Sequence, residues 1–339
     1  MARKNRKTHI YISQAQKKNK SNIKRAIAKK NWWYHNKARI IRESQHTEHF
    51  VTIKFSHHLY LASQDEQLFK KIKSVKNQPA VNFSFSNVKS VDVGSMLYIK
   101  AFIDYKIKKG DSVKVSCVSD NSKMRQILQH MGLKDYGMSI TYSDIKCWNV
   151  REWHENTHEN YGKVLMTEIL PAVLENKFPS KEFSRIAMGL NELLSNCSEH
   201  AYTEDDLFKG YYLIAGEYDN IETGKSNEFS FCIIDMGQGF RSSLHKNTGF
   251  QKFIGDFGIL ADEKLIKEAV DSRFNANKEK NSGRGTGLPA VKKSVETVKG
   301  GLHIYSDRGT YMLNAGTERL KSRKCDIIGS IITVNLPIN

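Results

Sequence analysis

From Phe183 to Pro337 the chain sets down, in a fixed order, an amphipathic helix, an apolar strand ending in an aspartate, and a glycine-rich loop abutting a second helix. That succession restricts the fold more than any one segment does, because alternating helical and strand patterns with short apolar runs require a sheet covered by helices.

The first of these segments, Phe183 to Ala201, carries Ile186, Leu190, Leu193, Leu194 and Cys197 at helical spacing. Glu192 and Asn196 then fall on a neighbouring face, four residues apart. An Asn196 oxygen can complete the shell of a magnesium ion whose other ligands are water and phosphate, while Glu192 can hold or deprotonate an attacking water. His200, one turn further, is within reach of phosphate oxygens. A plain amphipathic helix showing polar residues to solvent accounts for the same pattern. In the second segment the strand Phe229 to Ile234 runs into Asp235-Met-Gly237-Gln-Gly239. An aspartate at a strand end can accept a hydrogen bond from an adenine amino group, and glycine lets the backbone approach a base; a strand followed by a glycine turn reads the same way. The third segment, Gly283-Arg284-Gly285-Thr286-Gly287-Leu288-Pro289, precedes a helix expected over Ala290 to Val298. Amides exposed at such a helix start suit a triphosphate, and a glycine hinge is the alternative. Between the motifs, Arg241 to Ser282 is long, polar and broken by glycines, which suits a lid.

Taken together, Glu192-Leu-Leu-Ser-Asn196 with His200, Asp235-Met-Gly237-Gln-Gly239 and Gly283-Arg-Gly285-Thr-Gly287-Leu288 resemble the N box, adenine box and lid glycines of the GHKL ATPases (gyrase, chaperone, histidine kinase, MutL). Gly300 to Tyr305 and Gly329 to Pro337 resemble the strands that close the Bergerat fold. The resemblance implies a histidine kinase-like ATP-binding domain over 179–339, with ATP and Mg2+ as cofactors. Asp235, Gly237 and Gly239 would then read adenine, with Asn196 on the metal, Glu192 as the base, and the loop of Gly283 to Gly287 around the phosphates. A histidine-kinase reading also needs an acceptor histidine on a helix upstream, and none is recognisable between Asp144 and Ser180.

Upstream, Phe50 to Phe55 and Ala80 to Phe85 read as strands, Ser95 to Ile107 as a helix stopped by Gly110, Ser112 to Val118 as a strand and Asn121 to Met131 as a helix. That order predicts a small α/β domain with parallel pairing. Val81 to Leu133 resembles the STAS domains of anti-sigma-factor antagonists, although Val93 stands where the family's phosphorylated Ser or Thr would be. The expected architecture is therefore an α/β chain of two domains. A basic arm (1–48), a STAS-like domain (49–147) and a connector (148–178) precede a Bergerat-type sandwich (179–339) with a mixed sheet and helices on one face.

The formal charge of +17 is concentrated at the front: Arg3 to Arg42 holds fourteen Lys or Arg and no acid. With Trp32-Trp33-Tyr34 inside it, this arm reads either as a nucleic-acid-binding segment or as a solvated tail that docks its aromatics on protein. Five scattered cysteines, no apolar signal core and no apolar run of membrane-spanning length suit a cytoplasmic chain. Two further motifs are weaker. His154-Glu155-Asn156-Thr157-His158 matches the H-E-x-x-H zinc pattern in a polar setting. Gly224-Lys225-Ser226 ends like a P-loop but lacks its first glycine, and it lies between two apolar runs that suggest a hairpin.

Three functions share these residues: an ATPase or ATP-driven regulatory switch, a serine protein kinase of the anti-sigma type, and a nucleic-acid-binding module with regulatory ATP. The partners implied are ATP, a protein and, through residues 3–42, nucleic acid. A homodimer is compatible with the sequence, and a membrane is not expected.

Overall fold

A computed structural model describes residues 49–117, 122–133, 146–147, 151–154, 163, 165–171, 180–203, 206, 209–220, 225–244, 260–271 and 287–337. The arm's cationic run, residues 3–42, lies outside them, as do Glu155 to His158 and Gly283 to Thr286. Among the described residues no helix is long and apolar enough to cross a membrane.

The N-terminal unit is α/β. Strands β1 (Val51–Lys54), β3 (Ala80–Ser84) and β5 (Ser112–Ser116) form a parallel sheet in the order β1-β3-β5, while β2 (His58–Leu59) and β4 (Ser90–Val91) form a small parallel pair. Helices α1 (Leu61–Ser74) and α2 (Val93–Lys108) make the crossovers, and α3 (Ser122–His130) closes the unit. One carboxylate starts both crossover helices. Asp92 accepts from Ser95 N at 2.6 Å, capping α2, and from Leu61 N at 2.6 Å, at the first residue of α1. Helix α1 is absent from the sequence reading because its own preceding residue, Tyr60, supplies no side-chain cap.

The larger sheet is antiparallel at every described pairing, which corrects the expectation of a mixed sheet. Its path runs β12 (Thr317–Ser322), β11 (Gly309–Asn314), β10 (Gly301–Ser306), β13 (Ser330–Pro337), β9 (Lys225–Asp235), β8 (Gly210–Asn220), β6 (Lys146–Cys147), with β7 (Arg151–His154) also on β8. Strands β8 and β9 form the expected hairpin, with Asn220 opposite Lys225, so Lys225 and Ser226 belong to a strand. His154 ends a strand, opposite Gly210, where a zinc-protease motif needs a helix. Strands β6 and β7, from the end of the expected first unit and from the expected connector, thus pair with β8 of the large sheet.

Alternation along β9 sends Phe229, Phe231 and Ile233 to one core and Cys232, Ile234 and Met236 to another. The first core is covered by α4 (Ser180–His200), α6 (Asp262–Val270) and α7 (Gly287–Thr297). The second is shared with the N-terminal unit: Leu97, Ile99, Phe69 and Phe102 pack in one cluster with Tyr212, Ile214, Ile234, Tyr305 and Ile331. The expectation of helices on one face is therefore corrected, since both faces of the sheet are covered. Helix α2 is buried almost all round, as a helix between two sheets must be.

Three charges go into that interior with partners. Lys100 (1% exposed) pairs with Asp104 (1% exposed), one turn on, and lies 5.3 Å from the ring centroid of Tyr212, whose hydroxyl donates to Asp104 Oδ2 at 3.2 Å. Lys106 donates to the carbonyls of Val75 (3.3 Å), Lys76 (3.2 Å) and Gln78 beyond the end of α1, and pairs with Asp111 at 2.6 Å.

Candidate functional site

Register assembles the site. Antiparallel pairing places Ser306 opposite Ser330, Ser330 opposite Asp235, and Asp235 opposite Tyr211, a single row at one end of the large sheet. A shift of one residue in β13 would remove Ser330 from that row and turn it to the other face.

Asp235 ends β9 on the face toward α4. It is 5% exposed. Its Oδ1 accepts from Gly237 N at 2.9 Å, the Cys197 thiol lies 4.0 Å from its Oδ2, and Ser330 hydrogen-bonds it. Burial pushes its carboxyl up to about 7; the bonds from Gly237 and Ser330 pull the other way, and the Asp307 carboxylate adds to the rise. The same burial, with Asp235 alongside, raises the Cys197 thiol and the Tyr202 phenol. Tyr202 Oη accepts from Met236 N at 3.0 Å and donates to Gly210 O, tying the end of β9 to the start of β8.

The glycines of this segment have intramolecular reasons. A Cβ on Gly237 would run into the Ala201 carbonyl just past α4, where Gln238 N also donates at 2.8 Å. Gly239 has φ +78°, and a Cβ there would lie 2.9 Å from Asp307 Oδ1. Gly239 opens the short helix α5 (Gly239–Leu244), whose first amides are fixed from β10: Phe240 N donates to Ser306 Oγ at 2.9 Å and Arg241 N to Asp307 Oδ2 at 3.1 Å. Ser306 Oγ and Ser330 Oγ are 3.2 Å apart, which joins this cap to the Asp235 row.

Helix α4 is the spine that gathers the other expected residues. Cys197 and Ala201 meet the Asp235 segment, and Glu192, two turns earlier, meets Gly287 at the start of α7; a Cβ on Gly287 would lie 2.9 Å from Glu192 Cβ. Gly189 lets the two helices approach, since a Cβ there would stand 2.6 Å from a Val291 methyl. Asn196 lies between these contacts and is exposed; Glu192 and Leu288 are half-buried, and Leu288 packs on the helix-side core. His200 is the last residue of α4, and its side chain lies outside what is described. So the structure brings Asp235, Gly237 and Gly239 together with α4 at one end, and Glu192 with Gly287 at the other. Gly283, Arg284, Gly285 and Thr286 lie outside the described residues.

Sequence reasoning missed Tyr202, Ser306, Asp307 and Ser330. Ser330 falls in the run Gly329 to Pro337, read only as a strand, and the other three stand in no motif; their roles come from sheet register and from a turn in which Asp307 takes φ 48°. Gly329 illustrates how tightly the row is built. It has φ +75°, and its Cβ position falls inside contact with the Asp235 carbonyl. Gly329→Ala is therefore expected to destabilise the protein by about 2–4 kcal/mol, from left-handed strain plus overpacking, read from urea denaturation.

Burial of a carboxyl among neutral groups leaves it a strong acceptor for a polar N–H, since its two oxygens carry about four acceptor sites. Among the described residues no three His, Cys, Asp or Glu converge as a metal cage. The chain matches no protein-family model, and none of the curated proteins compared with it matches.

Proposed function

We propose that the chain is a magnesium-dependent ATP-binding protein of the GHKL type, its large sheet a Bergerat-type domain and its N-terminal unit STAS-like. The observation that carries this reading is the buried Asp235 at the end of β9, set against the helix that also bears Glu192 and Asn196. ATP supplies an adenine amino group for Asp235 and a triphosphate for the first turn of α7 and the glycines before it. Asn196 would hold the metal, and His200 a phosphate oxygen. Glu192, beside Gly287, would orient or deprotonate water, and ATP binding with slow hydrolysis would drive closure of a lid expected within 241–282 as a regulatory switch.

Phosphotransfer within the chain is disfavoured by the N-terminal unit. Val93 has no hydroxyl, and the neighbouring Ser95, in the first turn of α2, is fully buried. A serine kinase acting on a separate protein remains the alternative, as does nucleic-acid binding through the basic arm.

The test is binding of a fluorescent ATP analogue with and without magnesium, with phosphate release followed in parallel. Asn196→Ala is expected to weaken magnesium-dependent binding at least tenfold. Glu192→Gln should bind normally and lose about 100-fold in hydrolysis, the usual scale for a general base. Absence of magnesium-dependent binding by the unaltered protein at millimolar nucleotide would sink the reading; radiolabel appearing on an added protein would turn it toward the kinase.

A further inference from the structure

Arg323 follows β12 and is 3% exposed. Its guanidinium donates to Gly309 O and Asp307 O, each at 2.8 Å, and to Thr310 Oγ1, so one planar fork holds the whole β10–β11 turn. Its seat comes from the N-terminal unit. The guanidinium carbon lies 5.0 Å from the Phe69 ring centroid on α1 and 5.9 Å from that of Tyr305 on β10. Asp65, also on α1, stands 4.0 Å from Arg323 Nη1 and pairs with Lys321 at 2.5 Å.

The turn that Arg323 holds is the one that fixes the start of α5. Ser306 Oγ and Asp307 Oδ2 receive the amides of Phe240 and Arg241, directly after the Asp235–Gly239 segment. A second tie runs parallel to it: Tyr98 Oη on α2 accepts from Ile328 N at 3.2 Å, next to the Gly329–Ser330 pair that packs on Asp235. Helices α1 and α2 therefore brace both ends of the segment from Asp235 to Arg241.

We propose that Arg323, seated by Asp65 and Phe69 of the N-terminal unit, is a positioning residue for the nucleotide site, so that this unit sets how firmly the segment after Asp235 is held against a bound nucleotide. The inference rests on the ATP-binding reading for its ligand and on geometry alone for the brace. A partner protein that displaced α1 would loosen the site from behind, with no contact to the nucleotide.

The experiment uses the full chain with Arg323→Lys, which keeps the charge and loses the fork, and with Asp65→Asn, which keeps the shape and loses the charge. Amide hydrogen exchange at Phe240 and Arg241 is compared with that at Phe231 and Ile332, and affinity for a magnesium-bound ATP analogue is measured alongside. The expected result is exchange at least tenfold faster at 240 and 241, with the sheet amides unchanged and nucleotide affinity at least tenfold lower. If Arg323→Lys fails to fold, Asp65→Asn carries the comparison. Exchange at 240 and 241 within twofold of the unaltered protein overturns the inference, as does unchanged affinity in a variant whose amides have loosened. If the unaltered protein binds no nucleotide while those amides still loosen, the ATP reading fails and the brace stands.

Discussion

Replacing Asp235 by Asn is expected to make the protein more stable at pH 8 and at least 100-fold weaker in binding ATP. Unfolded, this carboxyl releases its proton near its ordinary 3.8; folded, it keeps it to about 7. Between those values the native state binds more protons than the unfolded chain, so its stability falls as pH rises through the window and levels off above about pH 7. The neutral amide removes that dependence. Urea denaturation should therefore show the variant ahead at pH 8 by on the order of 4 kcal/mol, and close to the unaltered protein at pH 4. Binding moves the other way, because an ionised acceptor for an amino group is exchanged for a group that presents its own N–H donors. The unaltered protein should also bind ATP more weakly below pH 7, since binding then requires deprotonation. A variant that is less stable at pH 8, or that binds as well as the original, would remove Asp235 from the site.

The second large effect is expected far from that row. Asp104→Ala leaves the Lys100 ammonium buried between α2 and β8 with its carboxylate gone, and should cost about 3–5 kcal/mol. Removing both charges together, as Lys100→Met with Asp104→Leu, should cost far less and can be neutral, because the desolvation of both ions disappears with them. Melting temperatures of the single and double variants decide the matter. A double variant as unstable as the single one would show that packing, and not the stranded charge, sets the cost.

What the sequence disclosed follows the reach of its signals. Helix α4 was legible because Ile186, Leu190, Leu193, Leu194 and Cys197 repeat at one face, and the β8–β9 hairpin because two apolar runs flank a polar turn. Helix α7 announced itself by Gly287 and Pro289 in its first turn. Helix α1 did not, because the carboxylate that caps it belongs to Asp92, thirty-one residues away in sequence. Strand β12 was missed because its residues are largely exposed at the edge of the sheet and read as polar chain. Around the candidate site, Asp235 and the glycines carried local signatures, whereas Ser306, Asp307, Ser330 and Arg323 did not. They meet only through strand pairing and the positive-φ turn at Asp307, which no window of neighbouring residues encodes.

Sharing α2 between two sheets also bears on how such a chain can change over generations. A substitution at Leu97, Ile99 or Phe102 is felt in one core that spans the N-terminal unit and the inner face of the large sheet. Drift in either half is therefore answerable to the other. Recombination that exchanged one half for a relative's would inherit a helix cut to the wrong surface, so the two units are bound to descend together.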